Sequence, residues 1–212
     1  MQPKQVRNPE QTSARILAAA THEFAAKGLG GARVDNIAAR AKVQKRMLYH
    51  YFGNKDDLFR TVLEAVYAQF REAEAALELE KLPPIAAVKR LLSFTWEYYI
   101  AHPEFITLVN SENLHRARHL KASRKLKQLN RAFVQRMQNL LDRGVNDGLF
   151  RSGIDAVQLL ITISGVGYHY LTNQFTGEIV YGRKLTTKAA LSQRLSFNTD
   201  TILRLVCKEG AI

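Results

Sequence analysis

Apolar residues recur along this chain three and four apart, the spacing of a helical face, and nowhere alternate at period two over a strand's length. Ile16, Leu17, Ala20 and Phe24 share one face of a first helix, predicted from Pro9, suited to an opening turn, to Lys27-Gly28, a cation and a stop glycine. Val34, Ile37, Ala38 and Ala41 carry a short second helix, with Asp35 and Asn36 in the first turn where polar or negative groups suit the macrodipole. A third begins around Gln44 and turns Leu48 and Phe52 inward. Gly53-Asn54 then breaks the chain, and Asn54 can cap a long fourth helix whose face is Phe59, Val62, Val66, Phe70 and Leu77. Pro83-Pro84 marks the clearest internal boundary, since a residue before proline avoids the helical region. Beyond it come a fifth helix (Ile85, Val88, Leu92, Trp96, Tyr99) and, after His102-Pro103, a sixth (Phe105, Leu108, Val109). A seventh runs roughly from Ser123 to Asp147, and Asp155 caps an eighth reaching about Phe175. Thr176 to Arg194 is mixed and partly irregular, and a last helix covers roughly Phe197 to Lys208, so the prediction is an all-α chain of about nine helices.

The eighth helix breaks the amphipathic rule. Leu159, Leu160, Ile161, Ile163, Val166, Tyr170 and Leu171 cover more than one stripe, which predicts burial on more than one side. Gly165 and Gly167 permit close backbone approach at a helix-propensity cost of about 1 kcal/mol each. A subunit interface and a central helix of a monomeric bundle both fit this pattern.

Composition adds little until charge is considered. With 212 residues, 46% hydrophobic and 24% charged, the chain is ordinary globular stock, large enough to bury a core without staples. One cysteine, Cys207, excludes a disulfide framework and a multi-cysteine zinc module. The amino terminus lacks an apolar signal core, and the longest apolar stretch, Leu159 to Val166, falls short of the ~18–20 residues that span a bilayer, so a cytoplasmic location is expected. Thirty-one Lys and Arg against nineteen Asp and Glu, however, leave a net +12, which points to nucleic acid, an acidic membrane or anionic ligands, with a merely basic surface as the plain alternative. Residues 1–60 hold eleven of the cations against five acids, half of the excess.

That excess coincides with a motif. RVDNIAARAKVQKRMLYHYF (33–52) reads as two short helices joined by a tight turn, the helix-turn-helix layout in which the second helix enters the major groove. At about 100° per residue, an inward Leu48 puts Phe52 within ~40° of it and turns Arg46 and His50 outward, flanked by Lys45, Met47 and Tyr49. Two cations, a phenol and an imidazole on one face suit guanine edges and phosphates, although basic helical faces are often only solvated.

The runs ILAAATHEFAAKG and ARVDNIAARAKVQKRMLYHYFGNKDDLF resemble the amino-terminal domain of TetR-type bacterial transcriptional regulators over about residues 10–70, through Phe24, Gly28, Ile37-Ala38, Val43, Leu48 to Phe52 and Lys55. HPEFITLVNSENLHRARHL is similar to a subset of that family's effector domains. The resemblance implies a DNA-binding domain at 10–70 and a helical effector and dimerisation domain at 71–212. It implies base or phosphate contacts from Gln44, Lys45, Arg46, Tyr49 and His50, backbone grips from Tyr51 and Lys55, and a phosphate contact from Arg33, with packing as the alternative for Tyr51. It further implies a homodimer formed through helices at about 155–175 and 197–208, a palindromic double-stranded DNA operator, and repression relieved by a small-molecule effector. Activation, or dual regulation, is the alternative within the family; a helical ligand-binding protein without specific DNA binding, or an enzyme with an unrecognised site, lies outside it.

Two departures stand out. Where the family has a turn glycine this chain has Lys42, which the turn asks to adopt left-handed backbone at a cost of order 1 kcal/mol. The common cap serine is Gln44, a poorer cap that is left free to read a base.

In the second half, Trp96, Tyr99, Phe105, Asn110, Asn113, Phe133, Met137, Tyr168 and Asn173 are the candidate effector-binding residues, aromatic walls with a few amides; ordinary core packing is the alternative for each. Glu112, His115 and His119 have formal metal spacing, but with no further ligand nearby they read as a solvated helix end, and neither a metal nor a cofactor is expected. Arg116 to Lys127 carries six cations and no acid, which reads as an exposed basic face, with a docking site for an anionic effector as the alternative. No nucleophile elbow or helix-spaced metalloprotease motif is present, so no catalytic residues are assigned.

Overall fold

A computed structural model describes residues 8–121 and 123–211. Among them the order is α1 (Pro9–Gly31), α2 (Val34–Ala41), α3 (Lys45–Phe52), α4 (Lys55–Ala75), a 3-10 turn (Leu79–Lys81), α5 (Pro84–Ala101), α6 (Pro103–Leu114), α7 (Arg124–Asn146), α8 (Ala156–Thr172), α9 (Gln174–Val180) and α10 (Lys188–Val206). The described residues form no strand, only an isolated bridge between Phe150 and Cys207. No helix among them is long and apolar enough to cross a membrane.

Local chemistry sets the helix ends. Asn8 accepts from the Glu10 and Gln11 N–H groups, Asn54 from Asp57 N–H at 2.9 Å, Asp155 from Gln158 N–H at 2.8 Å, and Thr187 from Ala190 N–H at 3.2 Å. Gly28 breaks α1 with φ 64° and ψ 175°, a conformation that costs glycine little, and a last turn follows to Gly31.

Two compact units result. The first comprises the described residues of Met1–Ala68 and Glu104–Leu126, the second those of Gln69–Pro103 and Lys127–Ile212. The division expected at residues 70 and 71 follows the chain contiguously, whereas packing returns Glu104–Leu126 to the helix-turn-helix unit. The core of the first unit holds Ile16, Phe24, Ile37, Leu48, Phe59 and Leu63, with Phe24 and Phe59 edge to face at 5.0 Å. In the second, Val88, Leu91, Met137, Leu140, Leu159, Ile202 and Phe150 bury against one another. There Gly144 leaves its Cβ space to the Phe150 ring.

Past α8 the structure corrects the predicted elements. The eighth helix ends at Thr172 rather than Phe175, and the supposedly irregular Thr176 to Arg194 stretch contributes to α9 and opens α10. The last helix therefore starts nine residues before Phe197, at Lys188. Its first turns mix Lys188, Ser192 and Gln193 with half-buried Ala190, Leu191 and Leu195; the Thr187 cap, the packing of Leu195 on the core and the later burial of Ile202, Leu203 and Val206 hold it.

Candidate nucleic-acid interface

In the first unit α2 and α3 meet through a turn whose backbone is closed twice. Lys42 N–H donates to Ala39 O at 3.1 Å and Val43 N–H to Ala38 O at 3.0 Å, the Schellman pairing, with Lys42 left-handed at φ 55° and ψ 48°. The turn keeps the geometry usually given to glycine and loads it with an exposed cation. Gln44 sits at the α3 N-cap without a side-chain cap bond, so its amide is not spent on the helix.

Leu48 is the buried anchor of α3, while Gln44, Lys45, Arg46, Tyr49 and His50 are exposed. Arg33 is exposed at the start of α2, and Tyr51 and Lys55 are half-buried, Lys55 in the first turn of α4. Phe52, predicted inward, is only half-buried. Tyr51 leans edge-on to His50 at 5.4 Å and lines a cleft of about 310 Å³ with Thr12, Arg15, Lys42, Gln44 and Arg46. Three cations and no carboxylate line this cleft. Thr12, Arg15 and Lys42 were not among the predicted contacts; the signal for the first two is their spacing from Pro9 on the opening turns of α1.

Two carboxylates organise the scaffold behind this face. Buried Glu23 accepts from Asn36 Nδ2 at 2.9 Å, Lys27 Nζ at 3.0 Å and Arg33 N–H at 3.2 Å, tying α1 to the amino end of α2. The Asn36 amide foremost, with Lys27 and Arg33, outweighs burial and holds the Glu23 carboxyl down at about 2. Asp35 pairs with Lys45 at 3.0 Å, and that hydrogen bond raises the lysine pKa; both groups are well exposed, so the pair can open to a phosphate.

His119 and Glu112 correct the expectation of a solvated helix end. Helix α6 stops at Leu114, and left-handed Arg116 and Ala117 fold the chain back. His119 N–H and Leu120 N–H then donate to Glu112 Oε1, His119 Nδ1 lies 2.6 Å from Glu112 Oε2, and both residues are buried. His119 Nε2 faces Asp56 at 3.0 Å, and Arg118 reaches the same carboxylate at 2.7 Å. His119 foremost, with Arg118, keeps the Asp56 carboxyl below its ordinary range. Both ring nitrogens of His119 are thus engaged within the unit, Nδ1 with Glu112 and Nε2 with Asp56 and with Arg118 Nε at 3.2 Å. The remaining cations of the Arg116 to Lys127 run, Lys121, Arg124, Lys125 and Lys127, are exposed, as is Arg116.

The candidate effector residues divide between the units. Phe105, Asn110 and Asn113 belong to the first; Phe105 is buried against Tyr67 at 5.3 Å, and Asn113 bonds its own helix at Val109 O. Trp96, Tyr99, Phe133, Met137, Tyr168 and Asn173 belong to the second. Phe133 and Met137 sit in the core cluster, and Arg71 lies over the Phe133 ring at 4.1 Å. Trp96 and Tyr99 are buried, with the bare Cα of Gly167 facing both; burial pushes the Tyr99 and Tyr168 phenols up. Asn173 bonds the His169 carbonyl at 2.9 Å.

Comparison with known proteins bears on this arrangement. Residues 16–62 match the family model described as bacterial regulatory proteins, tetR family, and residues 84–202 match the tetracyclin repressor-like C-terminal domain. The HTH-type transcriptional repressor NicS of Pseudomonas putida is 37% identical over 195 residues, 92% of each chain. The repressor SCO4008 of Streptomyces coelicolor is 39% identical over 108 residues, 51% of this chain and 53% of its own. Among solved structures, the fold is shared with the ketosteroid transcriptional regulator KstR2 of Mycobacterium tuberculosis (TM-score 0.67, 18% identity, 97% and 98% of the two chains). It is shared too with the fatty acid degradation regulator FadR of Bacillus halodurans (TM-score 0.69, 18% identity, 94% and 97%).

Proposed function

The chain belongs to the TetR family of bacterial regulatory proteins, which are DNA-binding transcriptional regulators and not enzymes, and from that premise we propose how it works. It is a cytoplasmic, homodimeric repressor that places α3 of each subunit in successive major grooves of a palindromic operator and leaves it when a small molecule binds the carboxy-terminal half. The observation that carries the reading is the outward face of α3: Gln44, Lys45, Arg46, Tyr49 and His50 stand exposed on a helix pinned by buried Leu48 and a doubly hydrogen-bonded turn. Arg46 and Gln44 have the donors to read base edges, Tyr49 and His50 those for a base or a phosphate, and Arg33, Tyr51 and Lys55 grip the backbone. Residues 10–70 form the DNA-binding domain and 71–212 the effector and dimerisation domain.

The exposed apolar residues support the dimer. On α8, Val157 and Ile161 are four apart, and on α10 Phe197 and Leu205 are two helical turns apart, each pair open to solvent. Gly165 on α8 has open space where a Cβ would stand, leaving room for a second backbone. An isologous interface pairing these two helices across a two-fold axis buries that stripe and produces the symmetry a palindrome requires.

Fluorescence anisotropy on the protein's own upstream DNA, measured across a salt series, tests the assignment. Arg46→Ala costs about 1–3 kcal/mol of specific affinity and relaxes sequence preference, while Tyr49→Phe weakens it more modestly. Unchanged affinity in both folded variants refutes α3 as the reading helix.

A further inference from the structure

The second unit holds a cavity whose lining includes Asn173 alone of the candidate effector residues. It lies between α8, α9 and α10, has a volume of about 520 Å³, and is walled by Tyr170, Tyr181 and Phe197 with Arg183, Gln193 and Arg194 among its polar groups. We propose that this cavity binds a small organic anion with a flat aromatic body, its carboxylate paired with Arg194.

Three features point the same way. First, Arg194 is held in place: its guanidinium carbon is 5.5 Å from the Tyr170 ring centroid and 5.4 Å from that of Phe197, and Tyr170 is itself fixed by donating to Leu185 O at 2.8 Å. A guanidinium stacked on two rings loses little freedom when it takes up an acceptor. Second, its Nε is buried and has no hydrogen-bond partner. A buried donor left unmet is costly, and no carboxylate lines the cavity to meet it. The neighbouring carboxylate, Glu178, is spent on Leu185 N–H, Thr186 and Lys184. Third, Arg183, held by Gln193 Oε1 at 3.2 Å, adds a second cation to the lining. The cavity therefore disfavours cations and offers a carboxylate the Arg194 guanidinium, with Tyr181 and the ring edges of Tyr170 and Phe197 as an apolar wall for its body. The size is ordinary for a small-molecule site.

Phe197 belongs both to this wall and to the apolar stripe of α10, so a ligand and the dimer face meet at one ring. The proposal deepens the effector reading and rests on it only in passing from binding to DNA release. Binding itself is measured on the free full-length protein.

Benzoate is the probe, with benzyl alcohol and acetate as the neutral and bodiless comparisons. Calorimetry is paired with the emission of Trp96, the chain's single tryptophan, whose ring lies 5.6 Å from Tyr170. Saturable benzoate binding is expected, at least about tenfold tighter than either comparison and weakened about tenfold or more by Arg194→Met. In the unaltered protein labelled with ¹⁵N-arginine, the Arg194 guanidinium resonances move as benzoate binds, a readout that stands even where the variant does not fold. Absence of saturable benzoate binding, equal binding of benzyl alcohol, or an Arg194 resonance unmoved at saturation overturns the proposal. Loss of operator binding by α3 variants leaves all these readouts unchanged, so the two readings fail separately.

Discussion

Lys42 sits where the backbone needs positive φ, and it places a long cation in the cleft shared by α1, α2 and α3. Replacing it with glycine separates these two consequences. Lys42→Gly relieves left-handed strain and raises stability by about 0.5–1 kcal/mol in urea unfolding, while the lost cation lowers DNA affinity and reduces the salt slope by about one unit. A variant that gains stability and keeps its salt slope shows that Lys42 touches no phosphate. The left-handed lysine was legible only through the resemblance, which puts a turn glycine at its position, and the observed φ of 55° agrees with it. The role of His119 was not: helical spacing linked Glu112, His115 and His119, but α6 ends first, and the return of the chain at Arg116 and Ala117 makes Glu112 accept from His119 and Leu120. Spacing arguments hold only while the helix does.

Between elements, the contact of the α4 carboxy-terminal turns with α7 shows what periodicity leaves out. Arg71 bonds Glu74 at 2.8 Å and Asn130 at 3.0 Å and covers Phe133, while Glu74 Oε1 is buried without a partner. Burial outweighs the arginine and lifts the Glu74 carboxyl to about 7. For an acid whose folded pKa lies above its unfolded one, the stabilising contribution is complete below the unfolded value near 4.5 and is lost as pH rises through about 7. Unfolding free energy therefore falls between pH 5 and pH 8 by up to roughly 2–3 kcal/mol from this group, and Glu74→Gln flattens that slope; parallel slopes in urea titrations of the two proteins exclude the effect. Helices α4 and α7 were both visible as stripes, yet a polar residue facing inward between them breaks no stripe and leaves no trace. Helix α9 and the start of α10 leave little periodic signal for a related reason, since short or polar-led helices owe their stability to caps and to packing partners far away in sequence.

At the scale of the whole molecule, exposed Val157, Ile161, Phe197 and Leu205 on α8 and α10 are a large apolar face for a single chain to leave in water. Light scattering at micromolar concentration is expected to give about twice the 24.0 kDa chain mass, and Ile161→Asp to shift the protein towards monomer; a wild-type monomer ends the dimer reading. The +12 charge also resolves unevenly: part of it lines the α1–α3 cleft, part stands exposed between Arg116 and Lys127, and part, with Arg183 and Arg194, lines the α8–α10 cavity. By itself the sequence determined the helical class, the caps at Asn54 and Asp155, the helix-turn-helix and its outward face, because these depend on residues within a few positions of one another. Only the tertiary structure decided the return of Glu104–Leu126 to the first unit, the burial of His119 and Glu74, and the aromatic sandwich around Arg194. Each of these brings together groups from helices distant along the chain, and their energies come from desolvation and pairing that exist only once those helices have packed.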